Sequence, residues 1–185
     1  MRVRFRHLAL ALVTAAASAA PAGAQQAVFM SDLTRDANQV RDKLVALAKA
    51  IPQDKYDWRP APGVRSVGEV FLHLASDNYL LPSVFGVDPD PATGIKADDF
   101  KTLTAYEKRR LTREEIVAEV QKSFVHLEKA MQGMPAAKLG DSYPIFGQSM
   151  TGQRVWILTV THLHEHLGQQ IAYARSNGVV PPWSQ

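Results

Sequence analysis

The chain has no cysteine among its 185 residues, which excludes disulfide staples, thiolate nucleophiles and cysteine-ligated metal sites. It also lacks internal repeats, low-complexity tracts, a G-x-S-x-G run and a glycine-rich phosphate loop. Solenoids, serine-nucleophile elbows and P-loop chemistry are thereby excluded. No apolar run reaches the roughly 20 residues a membrane-spanning helix needs. The run at 8–20 follows Arg2, Arg4 and Arg6 and precedes Ala22-Gly23-Ala24, which is the layout of a secretory leader.

The chain is accordingly expected to carry a signal peptide over 1–24, with a single domain over 25–185 and a periplasmic or secreted location. Removing the leader takes three arginines with it, so the 18 remaining basic residues equal the 18 acidic ones. The excess positive charge that would favour nucleic acid disappears, and no nucleic-acid partner is expected. No stable membrane insertion is expected after cleavage. The remaining chain of 161 residues is long enough to hold its fold by core burial alone.

Glycine and proline cluster at positions that divide this domain into four helical stretches. The first is expected over 31–51, with Leu33, Val40, Leu44, Leu47 and Ala48 at helical spacing and Pro52 beyond the end. Ser66 caps the second helix with Glu69 three residues on, the spacing of a capping box, and Pro82 closes it. Residues 83–110, with Asp88-Pro89-Asp90-Pro91 and Thr93-Gly94, read as turns. Thr112 and Glu115 form another capping box, opening a third helix with the apolar row Ile116, Val120, Phe124, Leu127 and Met131. A short extended piece is expected within 139–152. The fourth helix is expected over 153–177, with Gly178 at its C-cap and Pro181 and Pro182 preventing continuation.

This pattern predicts an all-α fold, an antiparallel four-helix bundle with one or two connections too long for the simplest up-down form. The last helix carries Val155, Leu158, His162, His166 and Tyr173 on one face and Ile157, Val160, Leu167 and Ile171 on the other. Two apolar faces call for two partners, so a homodimer packed through this helix is expected.

Histidine supplies the chemistry. His162 and His166 are four residues apart, about 40° around a helix, so both rings reach one point, whereas His164 is rotated away. His73 on the second helix, flanked by Glu69 and Asp77, also projects inward. Imidazoles on an apolar face cost on the order of 1–3 kcal/mol each unless their nitrogens find partners. A divalent metal held by all three would satisfy them and leave an open position for water. Carboxylates, carbonyls or water would satisfy them equally well, and spacing alone leaves both solutions open.

The run Ile51-Pro52-Gln53-Asp54-Lys55-Tyr56-Asp57-Trp58-Arg59-Pro60, followed by Ser66-Val67-Gly68-Glu69-Val70 and His73-Leu74, resembles the first-to-second-helix region of the DinB family. His162-Leu163-His164-Glu165-His166-Leu167-Gly168-Gln169 is similar to that family's HxxxHxGQ signature, and Gly178-Val179-Val180-Pro181-Pro182 to its usual ending. The resemblance implies a four-helix bundle, commonly dimeric, in which His73, His162 and His166 bind a divalent metal, usually zinc or nickel. Many members carry Arg where this chain has Leu167. Characterised members are largely cytosolic enzymes acting with low-molecular-weight thiols, and an exported protein departs from that setting.

Two functions are in view. In the first, a metal-dependent enzyme of hydrolase or transferase type acts on a small molecule; Asp77 or Glu69 serves as general base or orients His73, and Gln169 or Gln170 binds ligand or substrate beside His166. In the second, a non-catalytic protein uses the metal to join two helices and its pocket to hold a small ligand. His126 and His164 read as ordinary surface or interface residues, and Trp58, Trp156 and Trp183 as anchors.

Overall fold

The computed structural model describes residues 22–184. The expected leader lies outside them, except for Ala22–Ala24 at the start of the first helix. Five helices and one hairpin are present among the described residues: α1 (Ala22–Ala50), α2 (Val67–Ser83), α3 (Phe100–Glu107), α4 (Arg113–Gly133), β1 (Ser142–Ile145), β2 (Gln148–Thr151) and α5 (Gly152–Ser176). Within them, no helix is long and apolar enough to cross a membrane.

The long helices follow from apolar spacing and caps. On α1, Ala37, Val40, Leu44, Leu47 and Ala48 are buried at the expected period, although the helix begins nine residues before Ser31 because no breaker intervenes. The Ser66 hydroxyl accepts from Glu69 N and the Glu69 carboxylate accepts from Ser66 N, completing the α2 capping box. Pro82 lies inside the last turn rather than ending the helix before it. Thr112 and Glu115 cap α4 in the same reciprocal way, and Ile116, Val120, Phe124, Leu127 and Met131 are all buried. Each fully buried Leu or Phe of this kind stabilises by about 1.5–3 kcal/mol.

Side-chain pairings set the helix directions. Val67 meets Gln170 and Asp77 meets His162, so α2 and α5 run antiparallel. Gly68 faces Ile116 and Asn78 donates to Ser123, so α2 and α4 run parallel. Asn38 donates to Glu128 while Gln53 meets Arg113, which makes α1 and α4 antiparallel and leaves α1 and α5 parallel. The expected long connections permit this mixture, since a chain leaving α2 must travel its full length to begin α4 beside its start.

That return, at 84–111, differs from the expectation of turns alone. It contains α3, capped by the Asp99 carboxylate accepting from Lys101 N. Leu103 and Tyr106 are its buried residues, so the helix is too short to leave a strong periodic signal, yet Asp99-Phe100-x-x-Leu103-x-x-Tyr106 carries its cap and its stripe. The extended piece expected in 139–152 is an antiparallel hairpin with Ser142 opposite Thr151. Gly152 follows it directly; a Cβ there would lie 2.9 Å from the Lys138 carbonyl, so the hairpin can turn into α5 only at glycine.

The two apolar faces of α5 are partly covered within the chain, with Leu158, Ile157 and Ile171 half-buried. Val155, His166 and Tyr173 are buried on one side and Val160 and Leu167 on the other. Gly178, with φ of 75°, terminates the helix as expected, and Val179 N donates to Ala174 O in its cap.

Candidate metal centre

The α2–α5 seam carries the histidines. One ligand nitrogen from each of His73, His162 and His166 lies within 4.8 Å of the others, and the three rings pack edge to face with centroids 4.4–5.3 Å apart. His162 and His166 meet because four residues make about one turn of α5; His73, in the second turn of α2, meets them because the antiparallel register that pairs Val67 with Gln170 and Asp77 with His162 sets it alongside. His164, on the same turn, is exposed.

The outward nitrogens are already engaged. His73 Nδ1 donates to Glu107 Oε1 at 2.8 Å, and Glu107 in turn accepts from Arg65 Nε at 2.8 Å. His166 Nδ1 donates to Gln169 Oε1 at 2.7 Å, and the Gln169 amide donates to the Tyr173 hydroxyl at 3.0 Å. These bonds fix the tautomers of both rings and leave each Nε2 lone pair available toward the shared space. His162 Nε2 donates to Asp77 Oδ2 at 2.7 Å, and the same oxygen lies 3.4 Å from His73 Nε2.

Burial pushes His166 below its ordinary value, and the neighbouring His162 and His73 reinforce that against the hydrogen bond to Gln169. Burial would raise Glu107, but hydrogen bonds from His73 and Arg65 outweigh it and hold the carboxyl below the usual range. The result is an ionised carboxylate behind the His73 ring, the arrangement that raises the basicity of a metal-binding histidine.

Not every expected residue joins this cluster. Asp77 and Gln169 do. Glu69 is occupied as the α2 cap and by Arg59 Nη1 at 3.1 Å, away from the imidazoles. Gln170 donates to the Val67 carbonyl at 2.8 Å, tying α5 to the start of α2, and its buried Oε1 has no partner. Tyr173, placed on the histidine face of the last helix by its spacing, meets Gln169 there, whereas Glu107 and Arg65 carry no signal in the sequence. Glu107 lies 34 residues from His73, on the helix whose pattern was too short to read, so only the fold brings them together. His126 lies on α4 against Tyr79, outside the cluster.

A helical bundle that converges three imidazoles from two of its helices, two of them backed by a carboxylate or amide, defines a histidine-rich site of metal-binding type. The donor set suits a divalent cation: nitrogens of three imidazoles converge, the Nδ1 atoms of His73 and His166 are held from behind by acceptors, and Asp77 Oδ2 lies beside the Nε2 atoms of His73 and His162. The DinB superfamily model matches residues 37–170, and the chain belongs to that superfamily. Among solved structures, a DinB-like protein from Bacillus cereus ATCC 10987 is similar with a TM-score of 0.65 and 17% identity, covering 83% of this chain and 93% of that one. A DinB-like protein from Bacillus subtilis gives a TM-score of 0.61 and 18% identity, covering 83% and 98% respectively. No curated protein matches the chain.

Proposed function

We propose that this protein is an exported metal-dependent enzyme of hydrolase or transferase type, holding one divalent cation, zinc or nickel, on His73, His162 and His166. The observation that carries the reading is the convergence of three ring nitrogens within 4.8 Å, two of the rings being steered from behind by Glu107 and Gln169. A cation held there supplies Lewis acidity, polarising a bound carbonyl or lowering the pKa of water to about 7 in the case of zinc.

The remaining work falls to the chain. Asp77 is the carboxylate beside the imidazoles, with one oxygen 2.7 Å from His162 and 3.4 Å from His73, and is the group to accept a proton from an incoming nucleophile. Gln169 and Tyr173 hold the His166 ring, and Glu107 with Arg65 holds His73. Glu69 and Gln170 serve the frame, one as a cap and the other as a tie between α5 and α2. The substrate reading is a small molecule.

Metal content of the purified protein, measured beside the three His→Ala variants, tests the centre; about one ion per chain is expected, lost in each variant. Turnover of ester, amide and thiol-conjugation substrates, with His166→Ala as control, tests catalysis. Bound metal without any histidine-dependent rate would favour the non-catalytic binding reading. Export is tested by sequencing the mature N-terminus, expected at Gln25. The proposed homodimer is tested by light scattering. The dimer reading is supported by the half-buried Ile157, Leu158 and Ile171 of α5 and by the family resemblance.

A further inference from the structure

A small apolar cavity of about 110 Å³ opens at the hairpin end of α2, floored by Leu81, Val84 and Ile145 and bordered by Phe100 and Phe146. Phe146 and Gly147 form the two-residue hairpin tip, left-handed at φ of 50° and 75° as a type I′ turn requires. Phe146 is 58% exposed and Phe100 59%, their ring centroids 6.4 Å apart. Two solvent-facing aromatic residues at the mouth of a cavity contribute little to the core and leave apolar surface for a ligand to cover.

Three elements connect this cavity to the histidines. On α2, one face carries His73 and Asp77 and continues to Leu80, Leu81 and Val84. On α5, His166 and His162 continue to Leu158 and Val155, which pack in the same small apolar cluster as Leu81 and Ile145. On α3, Glu107 touches His73 while Phe100, seven residues earlier, borders the cavity. Seven residues of helix rise about 10 Å, and His73 to Leu80 on α2 gives the same span. The two places therefore lie side by side, about two helical turns apart.

Resting on the metal-centre reading above, we propose that the cavity is the apolar subsite of that centre and that the ligand is amphiphilic. Its polar head, a carboxylate, ester, amide or similar oxygen donor, meets the histidines. Its other end, about 10 Å away, is a single aromatic ring or a short branched aliphatic group that enters between Phe100 and Phe146. The volume suits one ring: a cavity of about 150 Å³ accepts benzene, and here the open side adds room.

Hydroxamates separate head from tail. Zinc-loaded protein is titrated calorimetrically with acetohydroxamate and with phenylalkyl hydroxamates of increasing linker length. Acetohydroxamate is expected to bind, and an aryl tail on a linker of several carbons to bind at least tenfold more tightly. Ala97→Trp, which fills the cavity from its exposed loop, and Phe100→Ala are expected to remove the gain while leaving acetohydroxamate binding unchanged. Phe146→Gly is expected to reduce the gain without lowering the melting temperature, which rules out unfolding as the cause. Acetohydroxamate binding with less than a twofold gain from any tail would overturn the subsite and leave the metal centre standing. Failure of zinc-loaded protein to bind acetohydroxamate would bring down both.

Discussion

Glu107 offers the sharpest test of how the fold tunes the histidines. Its carboxylate accepts from His73 Nδ1 at 2.8 Å and from Arg65 Nε at 2.8 Å, and its side chain is 14% exposed. Replacement by Ala removes both the fixed tautomer and the negative charge behind the ring. Loss of such an outer partner typically weakens metal binding by about 10–100-fold, which corresponds to about 1.4–2.8 kcal/mol. Glu107→Gln keeps an acceptor for the ring but loses the charge and turns an amide donor toward Arg65, so it should fall near the tenfold end. The assay is competition for zinc against a chromophoric chelator at neutral pH, with circular dichroism confirming the fold of each variant. If both variants bind zinc within twofold of the parent, Glu107 does not steer His73, and the account of α3 as a support for the centre is wrong.

Three further outcomes are expected. Phe146→Gly should raise stability by about 1–2 kcal/mol, the cost of a left-handed non-glycine residue, read as a higher denaturant midpoint. Little burial is lost, because the ring is already exposed. Ser123→Ala should cost about 1–3 kcal/mol by leaving the buried Asn78 amide, which donates to Ser123 Oγ at 3.1 Å, without that acceptor; chemical denaturation measures it, and a double variant with Asn78→Leu should cost less than the sum. Glu119 is held below the usual carboxylate range: burial would raise it, but bonds from Arg109 Nη2 at 2.7 Å and the Tyr106 hydroxyl at 2.8 Å prevail. A depressed folded value means its contribution is present above the unfolded value of about 4.3 and is lost as pH falls below it. Glu119→Gln should therefore flatten the acid limb of stability against pH; an unchanged limb would refute the assignment.

Helices were legible wherever local chemistry is complete within a few residues. The capping boxes Ser66–Glu69 and Thr112–Glu115 formed as their spacing implies, and the buried row from Ile116 to Met131 is the row read from sequence. The cluster of His73, His162 and His166 was likewise legible, because one helix turn joins two of them and the family resemblance names the third. What escaped was short or long-range. α3 offers two buried side chains where a periodic signal needs more, and Glu107 reaches His73 across 34 residues. Glu69, next to His73 in the helical register, belongs to the cap because the backbone amide of Ser66 claims its carboxylate first.

By itself, the order of residues determined where α4 and α5 begin and end, where α2 begins, and which side of each long rod is apolar, since caps and periodicity act over one or two turns; the start of α1, where no breaker intervenes before Ser31, was not among them. The order of residues also placed the three imidazoles on inward faces. Only the packed bundle decided that α2 lies antiparallel to α5 and parallel to α4, and hence which carboxylate stands behind which ring. That division has a physical origin: a hydrogen bond or cap is selected by neighbours a few residues away, whereas the partner of a buried side chain is selected by whichever helix can close the core beside it.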